Sequence, residues 1–230
     1  MNNESAQQKT QPILTISGLA VAIGETVLLK GLDLTVKKGE CVAILGPSGS
    51  GKTTLLRTIT GLIDAPEGKV LYRGKPREDF TYPAFRRKAV LIEQQPALFD
   101  MSVKRNLRKP FEYHSARNGG FDEERAKHLL KRVGLADRWT QNAKSLSVGQ
   151  QQRLALVRGL LVEPEMLLLD EPTSALDAAA VDMVEDMLCE EMKGIGCTAL
   201  VVSHSEEQAE RMCGRKIRLD DYMTENGGDA

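Results

Sequence analysis

Apolar side chains along this chain recur either at strand-like or at helix-like spacing, and segments of the two kinds alternate. Apolar and polar residues alternate at 13–17 and 31–36, which is typical of strands with one buried face. Further short strands are predicted at 41–45, 69–72, 88–92, 166–170 and 198–203. Helices are predicted at 52–62, 122–133, 147–163 and 178–193. A capping-box sequence from Ser205 to Gln208 predicts one more helix after them.

This order of elements predicts an α/β fold with a mostly parallel sheet covered by helices on both faces. Strand-like runs are missing from 95–163, which therefore reads as a helical insertion. We expect a single domain over 1–220, with a core from about 12–94 and 164–220 and a flexible acidic tail at 221–230. Such sheets place ligands at the carboxyl ends of their strands, where the candidate chemistry is found.

Composition narrows the classes of protein. The 230 residues are 41% hydrophobic and 27% charged, which is ordinary for a globular protein. The 31 basic and 32 acidic side chains give a formal net charge of -1, and only 4% of residues are aromatic. A net charge near zero predicts no overall attraction to nucleic acid, and so few aromatic residues predict no stacking platform for its bases. A nucleic-acid partner is therefore not expected.

Targeting and redox signals are weak. No apolar run approaches the roughly 18–20 residues of a membrane span, and the polar first twelve residues lack the apolar core of a signal peptide. Cysteines occur at positions 41, 189, 197 and 213, far apart and without a C-x-x-C pair. We therefore expect reduced thiols in a cytoplasmic protein.

A glycine-rich loop supplies the strongest local motif. Residues 46–53 match G-x-x-x-x-G-K-[ST], between a predicted strand and a predicted helix. The backbone N–H groups of such a loop form an anion-binding nest, reinforced by the helix N-terminus. Lys52 is placed to reach phosphate oxygens, and the Thr53 hydroxyl to coordinate Mg²⁺. The predicted nucleotide-binding residues here are Gly46, Pro47, Ser48, Gly49, Ser50, Gly51, Lys52, Thr53 and Thr54.

A buried strand ending in two acids supplies the second motif. Residues 166–169 are apolar, and Asp170 and Glu171 follow directly. A carboxylate in this position holds the metal in P-loop nucleoside triphosphatases, which assigns Asp170 to Mg²⁺. Glu171 is then a candidate to activate a water molecule that attacks the terminal phosphate of ATP.

A third motif indicates the family. Residues 146–150, Leu-Ser-Val-Gly-Gln, resemble the LSGGQ signature of ATP-binding cassette (ABC) ATPases. Gln94 matches the glutamine of the family's Q-loop, 174–177 its D-loop, and His204 its switch histidine. The resemblance extends from about residue 14 to residue 219, with six motifs in the expected order.

The resemblance implies a P-loop core, an N-terminal antiparallel β part and the helical insertion as a signature subdomain. It also implies a head-to-tail homodimer with two ATP molecules at its interface. Each P-loop would face the signature residues of the partner, namely Ser147, Gly149 and Gln150. Such a signature loop heading a helix offers N–H groups and a positive dipole end to phosphate.

Roles for further residues follow from the same resemblance. Glu171 is the implied general base, His204 contacts the terminal phosphate, and Gln94 contacts the metal ion and the attacking water. Lys52 stabilises the departing phosphate charge, and Asp177 communicates across the dimer.

Two positions depart from the family pattern. Val148 replaces the first glycine of the signature, and a β-branched residue there is strained if the backbone requires a positive φ. Ile23 occupies the position of the aromatic residue that usually stacks on adenine. An aliphatic side chain covers the base by apolar contact only, so weaker base selectivity is expected.

The implied function is ATP hydrolysis that powers a membrane transporter, with permease subunits on separate chains and this chain at the inner face of the cell membrane. In the family a groove of the helical insertion receives a permease helix, and its expected lining here is Phe99, Met101, Val103 and Leu107. Residues 95–110 resemble small cassettes of the iron-export and phosphate-uptake kind. The alternatives are a soluble cassette ATPase acting on ribosomes or DNA, and a P-loop kinase.

Overall fold

The computed structural model describes residues 12–112 and 120–224. The strands are β1 Pro12–Ile23, β2 Thr26–Lys37, β3 Cys41–Leu45, β4 Lys69–Tyr72, β5 Lys75–Pro76, β6 Ala89–Ile92, β7 Met166–Asp170, β8 Thr198–Val202 and β9 Arg215–Arg218. The α-helices are α1 Lys52–Ile59, α2 Tyr82–Lys88, α3 Val103–Glu112, α4 Glu123–Arg132, α5 Val148–Leu161, α6 Ala178–Ile195 and α7 Glu206–Met212. Short 3₁₀ helices lie at Arg77–Asp79, Ala136–Arg138, Ala143–Ser145 and Asp220–Tyr222.

The first sheet is antiparallel and has the strand order β2-β1-β4-β5. Its long hairpin turns through Gly24, whose φ of 57° suits a two-residue turn between paired Ile23 and Thr26. Alternating burial along both strands of the hairpin places one face on a hydrophobic core. Strand β1 runs six residues beyond the predicted 13–17.

The second sheet is parallel and has the strand order β6-β7-β8-β3-β9. Strand β7 is buried along its whole length, as expected for a parallel strand covered on both faces. Leu167 and Leu169 face the helical side, while Met166 and Leu168 face the antiparallel sheet. The predicted α/β fold with an antiparallel part is confirmed.

Between the last strand before the insertion and β7, the described chain is mainly helical. Helices α3 and α4 pack on α5, and α4 also packs on α6. Val103 and Leu107 of α3 are completely buried in this core. The prediction that these two residues line a surface groove is wrong, because the apolar face of α3 supplies the packing of the insertion itself.

The cysteines depart from expectation. Cys41 and Cys213 are joined in a disulfide across 172 residues of sequence, with their Cα atoms 4.8 Å apart. The prediction of reduced thiols is wrong for this pair. The parallel pairing of β3 with β9 brings residues 41 and 213 together, and local spacing in the sequence carries no sign of it. Cys189 and Cys197 are free thiols.

The prediction of a flexible tail is wrong for residues 221–224, which pack against the rest of the fold. Met223 forms a β-bridge with Leu29, and the N–H of Thr224 donates to the carbonyl of Leu28 at 3.1 Å. Tyr222 and Met223 also pack on the core beneath the hairpin, which fixes 221–224. The rest of the tail, 225–230, and the polar head, 1–11, lie outside the described residues. In the part of the chain that is described, no helix is long and apolar enough to cross a membrane.

Candidate nucleotide site

The sequence-predicted catalytic residues meet at one edge of the parallel sheet. Strand β3 ends at the glycine-rich loop, and β7 ends at Asp170, with Glu171 next. Gln94 follows the end of β6, and His204 follows the end of β8. Because all four strands run parallel, their carboxyl ends lie together.

The glycine-rich loop is closed on itself around the lysine side chain. Lys52 Nζ donates to the carbonyl oxygens of Gly46 at 2.9 Å and Pro47 at 2.6 Å. Gly51 has a φ of 87°, and a Cβ there would lie 3.2 Å from Leu28, so the sharp entry into α1 requires glycine. The loop therefore holds the ammonium group where a phosphate nest is expected.

Burial changes the acid–base properties of the loop. Desolvation lowers the pKa of the Lys52 ammonium below its ordinary value, against the opposing charges of Glu171, Asp170 and Asp220. The Ser50 hydroxyl is fully buried and has no hydrogen-bond partner among the described residues. A buried cation and an unpartnered buried hydroxyl in one glycine-rich loop fit an anionic ligand such as the phosphates of ATP.

Thr53 and Asp170 form a candidate metal site. The Thr53 hydroxyl donates to Asp170 Oδ2 at 2.8 Å, which brings two oxygen ligands together from α1 and β7. Burial raises the pKa of the Asp170 carboxyl, and the charge of Glu171 raises it further, while the Thr53 hydrogen bond lowers it. Oxygen donors of this kind suit Mg²⁺, so the residues fit the predicted ion.

The carboxylate of Glu171 has a partner at each oxygen. His204 Nε2 lies 2.6 Å from Oε1, and Gln94 Nε2 donates to Oε2 at 3.0 Å. The three side chains come from three different strand ends, and the structure brings them into direct contact as one group. In this state the carboxylate is held by protein groups rather than left in open solvent.

The signature residues lie at the start of α5. Ser147 caps the helix: its Oγ accepts the Gln150 N–H at 3.3 Å, and Gln150 Oε1 accepts the Ser147 N–H at 3.0 Å. Val148 occupies the first helical position and is 66% exposed. Its φ is not positive, so the strain considered for valine at this position is absent.

Gly149 lets the signature helix approach the loop after Glu171. A Cβ on Gly149 would lie 2.9 Å from the carbonyl oxygen of Ala175, a distance that side chains do not tolerate. The predicted D-loop residue Asp177 caps the next helix, with Oδ1 accepting the Ala180 N–H at 2.9 Å. The loop between β7 and α6 therefore packs closely against the start of α5.

Two groups of predicted residues make no hydrogen bond to the glycine-rich loop within the described chain. Across residues 12–112 and 120–224, no hydrogen bond links Ser147, Gly149 or Gln150 to the glycine-rich loop. Ile23 lies at the tip of the first hairpin and is 58% exposed. Ser147 is also exposed, whereas Gly149 and Gln150 are partly exposed.

Sequence reasoning missed a role for Ser174. Gln94 Nε2 donates to Ser174 Oγ at 3.3 Å, and Ser174 Oγ donates to the carbonyl of Glu171 at 3.1 Å. Ser174 therefore joins the Q-loop to the residue after β7. The sequence places Ser174 in the D-loop motif, but it does not show that the side chain points toward Gln94.

A glycine-rich loop around a buried lysine, a threonine–aspartate pair and a parallel sheet define the class of P-loop nucleoside triphosphatases. The sequence profile of the ABC transporter family matches residues 29–174. The chain belongs to that family, whose members bind and hydrolyse ATP, and it is an ATPase.

Relatives with assigned names agree with this family. The phosphate import ATP-binding protein PstB of Thermotoga maritima is 34% identical over 226 residues, which cover 93% of this chain and 86% of that protein. The spermidine/putrescine import ATP-binding protein PotA of Bacteroides fragilis is 39% identical over 203 residues. That match covers 88% of this chain but only 43% of PotA, so the chain spans less than half of that relative.

Among solved structures, the ATP-binding cassette MJ0796 in a dimeric post-hydrolysis state with ADP and Pi superposes with a TM-score of 0.79. It is 30% identical in sequence, and the match covers 90% of this chain and 94% of that one. The predicted family, fold class and ATPase activity are confirmed by these comparisons.

Proposed function

We propose that Glu171 activates the water that attacks the terminal phosphate of ATP, and that Lys52 and His204 stabilise the charge on that phosphate. The observation that carries this proposal is the contact of Glu171 with His204 at 2.6 Å and with Gln94 at 3.0 Å, directly after the metal-site residue Asp170. Binding of nucleotide and water replaces these contacts, and the carboxylate then accepts a proton from the attacking water.

Thr53 and Asp170 are the proposed ligands of Mg²⁺, with Gln94 as a further contact. An Mg²⁺ ion held by these residues would supply positive charge to the phosphate oxygens. The hydrogen bond between Thr53 and Asp170 holds both ligands in place before the ion arrives. Lys52 exchanges the carbonyls of Gly46 and Pro47 for phosphate oxygens.

A second copy of the chain completes each site in this proposal. The exposed start of α5 presents the Ser147 hydroxyl, helix N–H groups and the positive end of a helix dipole. These are groups that bind a phosphate, yet within one chain they are not hydrogen-bonded to the glycine-rich loop. A head-to-tail homodimer with two ATP molecules brings them together, and hydrolysis followed by phosphate release separates the copies.

We also propose that permease subunits on separate chains bind beside Gln94. A groove of about 270 Å³ lies between the end of β6 and helix α5. Its lining includes the apolar residues Ala97 and Ala155 and three arginines, Arg86, Arg87 and Arg158. This chemistry fits a short permease helix with apolar and acidic side chains, at the inner face of the cell membrane. A shift of that permease helix reaches Gln94 through Pro96 and Ala97, which line the groove and follow Gln94 in the chain.

Filling the groove tests the permease proposal. Ala97 is exposed and lines the groove, so Ala97→Trp occupies it without altering the glycine-rich loop. We expect ATP hydrolysis by the isolated chain to stay at the wild-type level and recovery with the membrane fraction to fall at least tenfold. Lys193→Trp, at an exposed site near the end of α6, is the control. Equal membrane recovery of both variants would exclude the groove as the permease site.

For the cargo we propose either phosphate, taken up, or a metal ion such as iron, exported. The name of the Thermotoga relative supports phosphate, and the likeness of residues 95–110 to small cassettes supports both. Deletion of the gene separates them: labelled phosphate uptake falls in the first case, and cellular iron rises in the second. Unchanged phosphate uptake and iron content would exclude both cargoes.

A further inference from the structure

The helix that follows His204 is not capped as its sequence predicts. Ser205 Oγ accepts the backbone N–H of Gln208 at 3.2 Å, which is the first half of a capping box. The side chain of Gln208 does not return to Ser205. Its Nε2 donates instead to Thr173 Oγ1 at 2.5 Å and to Glu185 Oε1 at 2.9 Å. One amide group therefore joins three elements: α7, the loop after Glu171, and α6.

The three side chains that this amide group joins are buried, and hydrogen bonds link them. Thr173, Glu185 and Gln208 are 9%, 4% and 6% exposed. Arg211 donates to Glu185 from Nε at 2.6 Å and from Nη2 at 3.0 Å. Both hydrogens of the Gln208 amide and both oxygens of Glu185 are thus engaged. Buried hydrogen bonds fix the relative positions of their partners more firmly than exposed ones do.

The network lies next to the proposed catalytic pair. Thr173 follows Glu171 by two residues, and Gln208 follows His204 by four residues. A cavity of about 250 Å³ is lined by these four residues together with Glu185. Glu171 and His204 come from the ends of different strands, so their 2.6 Å separation depends on how firmly the two following segments are held together.

We propose that Gln208 is a positioning residue for ATP hydrolysis. It braces the loop that carries Glu171 against the helix that follows His204, and it thereby sets the geometry of the pair. This inference rests on the proposed function of Glu171 and His204. The hydrogen bonds of Gln208 go to Ser205, Thr173 and Glu185 and not to the glycine-rich loop, so Gln208 acts on the rate of hydrolysis and leaves ATP affinity unchanged.

The first test removes the amide without changing the size of the side chain. Gln208→Met loses both donors, and we expect kcat to fall about tenfold or more, since small displacements of reacting groups cost this much. KM and the ATP dissociation constant, measured by calorimetry, stay at wild-type values. Glu207→Gln changes the exposed neighbouring residue and is the control; it retains wild-type kcat.

The second test exchanges the two partners. Gln208→Glu alone places a second carboxylate against Glu185, and we expect kcat to fall at least as far as in Gln208→Met. Adding Glu185→Gln restores one carboxylate and one amide in reversed order, with the Thr173 hydroxyl now donating, while Arg211 keeps one acceptor oxygen instead of two. The double variant should recover part of the wild-type kcat and be faster than Gln208→Glu alone. Recovery of this kind is not expected if the network serves stability alone.

Two results would overturn the inference. One is wild-type kcat in Gln208→Met with only a lower melting temperature, and the other is a double variant as slow as Gln208→Glu. If Gln208→Met does not fold, Thr173→Val decides, because it removes only the accepting hydroxyl; wild-type kcat there also refutes the brace. Glu171→Gln is measured in parallel. Normal hydrolysis in that variant would instead refute the proposed base.

Discussion

Glu171 has a backbone φ of 47°, a left-handed conformation that residues with a Cβ rarely adopt. Such conformations cost on the order of 1–3 kcal/mol and persist where the surroundings impose them. Here the N–H of Glu171 donates to the carbonyl of Val202 at 3.1 Å, and the Ser174 N–H and hydroxyl both donate to its carbonyl. This backbone arrangement accompanies the contact of the carboxylate with His204 and Gln94.

Replacing Glu171 by Gln keeps the size of the side chain and removes the proton acceptor. We expect phosphate release to slow by about 100-fold or more, because general-base catalysis contributes that much, while ATP binding is retained. Steady-state phosphate release and calorimetry with ATP measure the two quantities. Asp186→Asn, at an exposed site on α6, is the control and keeps the wild-type rate.

Asp170 carries a cost in the nucleotide-free protein. Burial raises the pKa of its carboxyl, so the ionised form destabilises the folded state near neutral pH. Asp170→Asn keeps an acceptor for the Thr53 hydroxyl without the charge. We expect its melting temperature without nucleotide to exceed that of the wild type, by about 2–4 °C per kcal/mol for a chain of this size.

The pH dependence of that difference has a definite sign. As pH falls through the raised pKa, Asp170 of the wild type becomes neutral as well, and the two melting curves converge. With Mg²⁺ and ATP the order reverses, because only the wild type retains the metal ligand. A variant that melts below the wild type at neutral pH without nucleotide would contradict the burial argument.

At the scale of elements, the signature helix α5 and the loop after β7 approach too closely for any side chain at Gly149. In Gly149→Ala the new Cβ would lie 2.9 Å from the Ala175 carbonyl, so the loop that follows Glu171 must shift. We expect several-fold slower hydrolysis and a loss of roughly 1–3 kcal/mol in unfolding free energy.

Gly194→Ala is the matched control for this substitution. Gly194 lies in α6 with open space at its Cβ, so alanine should be neutral or stabilise the protein by up to about 1 kcal/mol. Denaturant unfolding and phosphate release are measured on both variants. Equal effects of the two changes would show that close packing at the signature has no special role.

Strands and helices with a strong local pattern could be predicted from the sequence. Elements that form only by pairing with segments remote in sequence could not. The bounds of β3, β4 and β7 agree with the predicted ones, since short runs of this kind have few alternatives. Strand β9, Arg-Lys-Ile-Arg, has one apolar residue and exists because it pairs with β3 at the sheet edge. The hairpin tip of β1 was missed because Gly18 interrupts its pattern.

For the candidate site, the sequence was enough to predict which residues lie at the sheet edge, but not the direction in which their side chains point. Motif order and strand polarity were enough to place Lys52, Asp170 and Glu171 at one edge. The capping box predicted at Ser205 was half right: Ser205 caps the helix, but the Gln208 side chain turns to Thr173 and Glu185. Side-chain direction depends on partners remote in sequence, which spacing alone does not contain.

At the scale of the whole molecule, three surfaces of one chain carry the proposed functions. They are the edge with the catalytic group, the exposed signature at the start of α5, and the groove beside Gln94. The loop from Glu171 to Asp177 touches the first two, since Gly149 packs on Ala175 and Gln94 bonds to Ser174. Association of two copies is therefore expected to act on the catalytic group through this loop.

The most direct test of this account is the mass in solution of Glu171→Gln with Mg²⁺ and ATP, measured by sedimentation. We expect twice the 25.3 kDa monomer, because ATP that is not hydrolysed keeps two copies together. Adding Ser147→Glu places a negative charge where the partner's phosphates bind, and the mass should return to that of the monomer. A Glu171→Gln protein that binds ATP yet stays monomeric at every concentration would contradict the shared site.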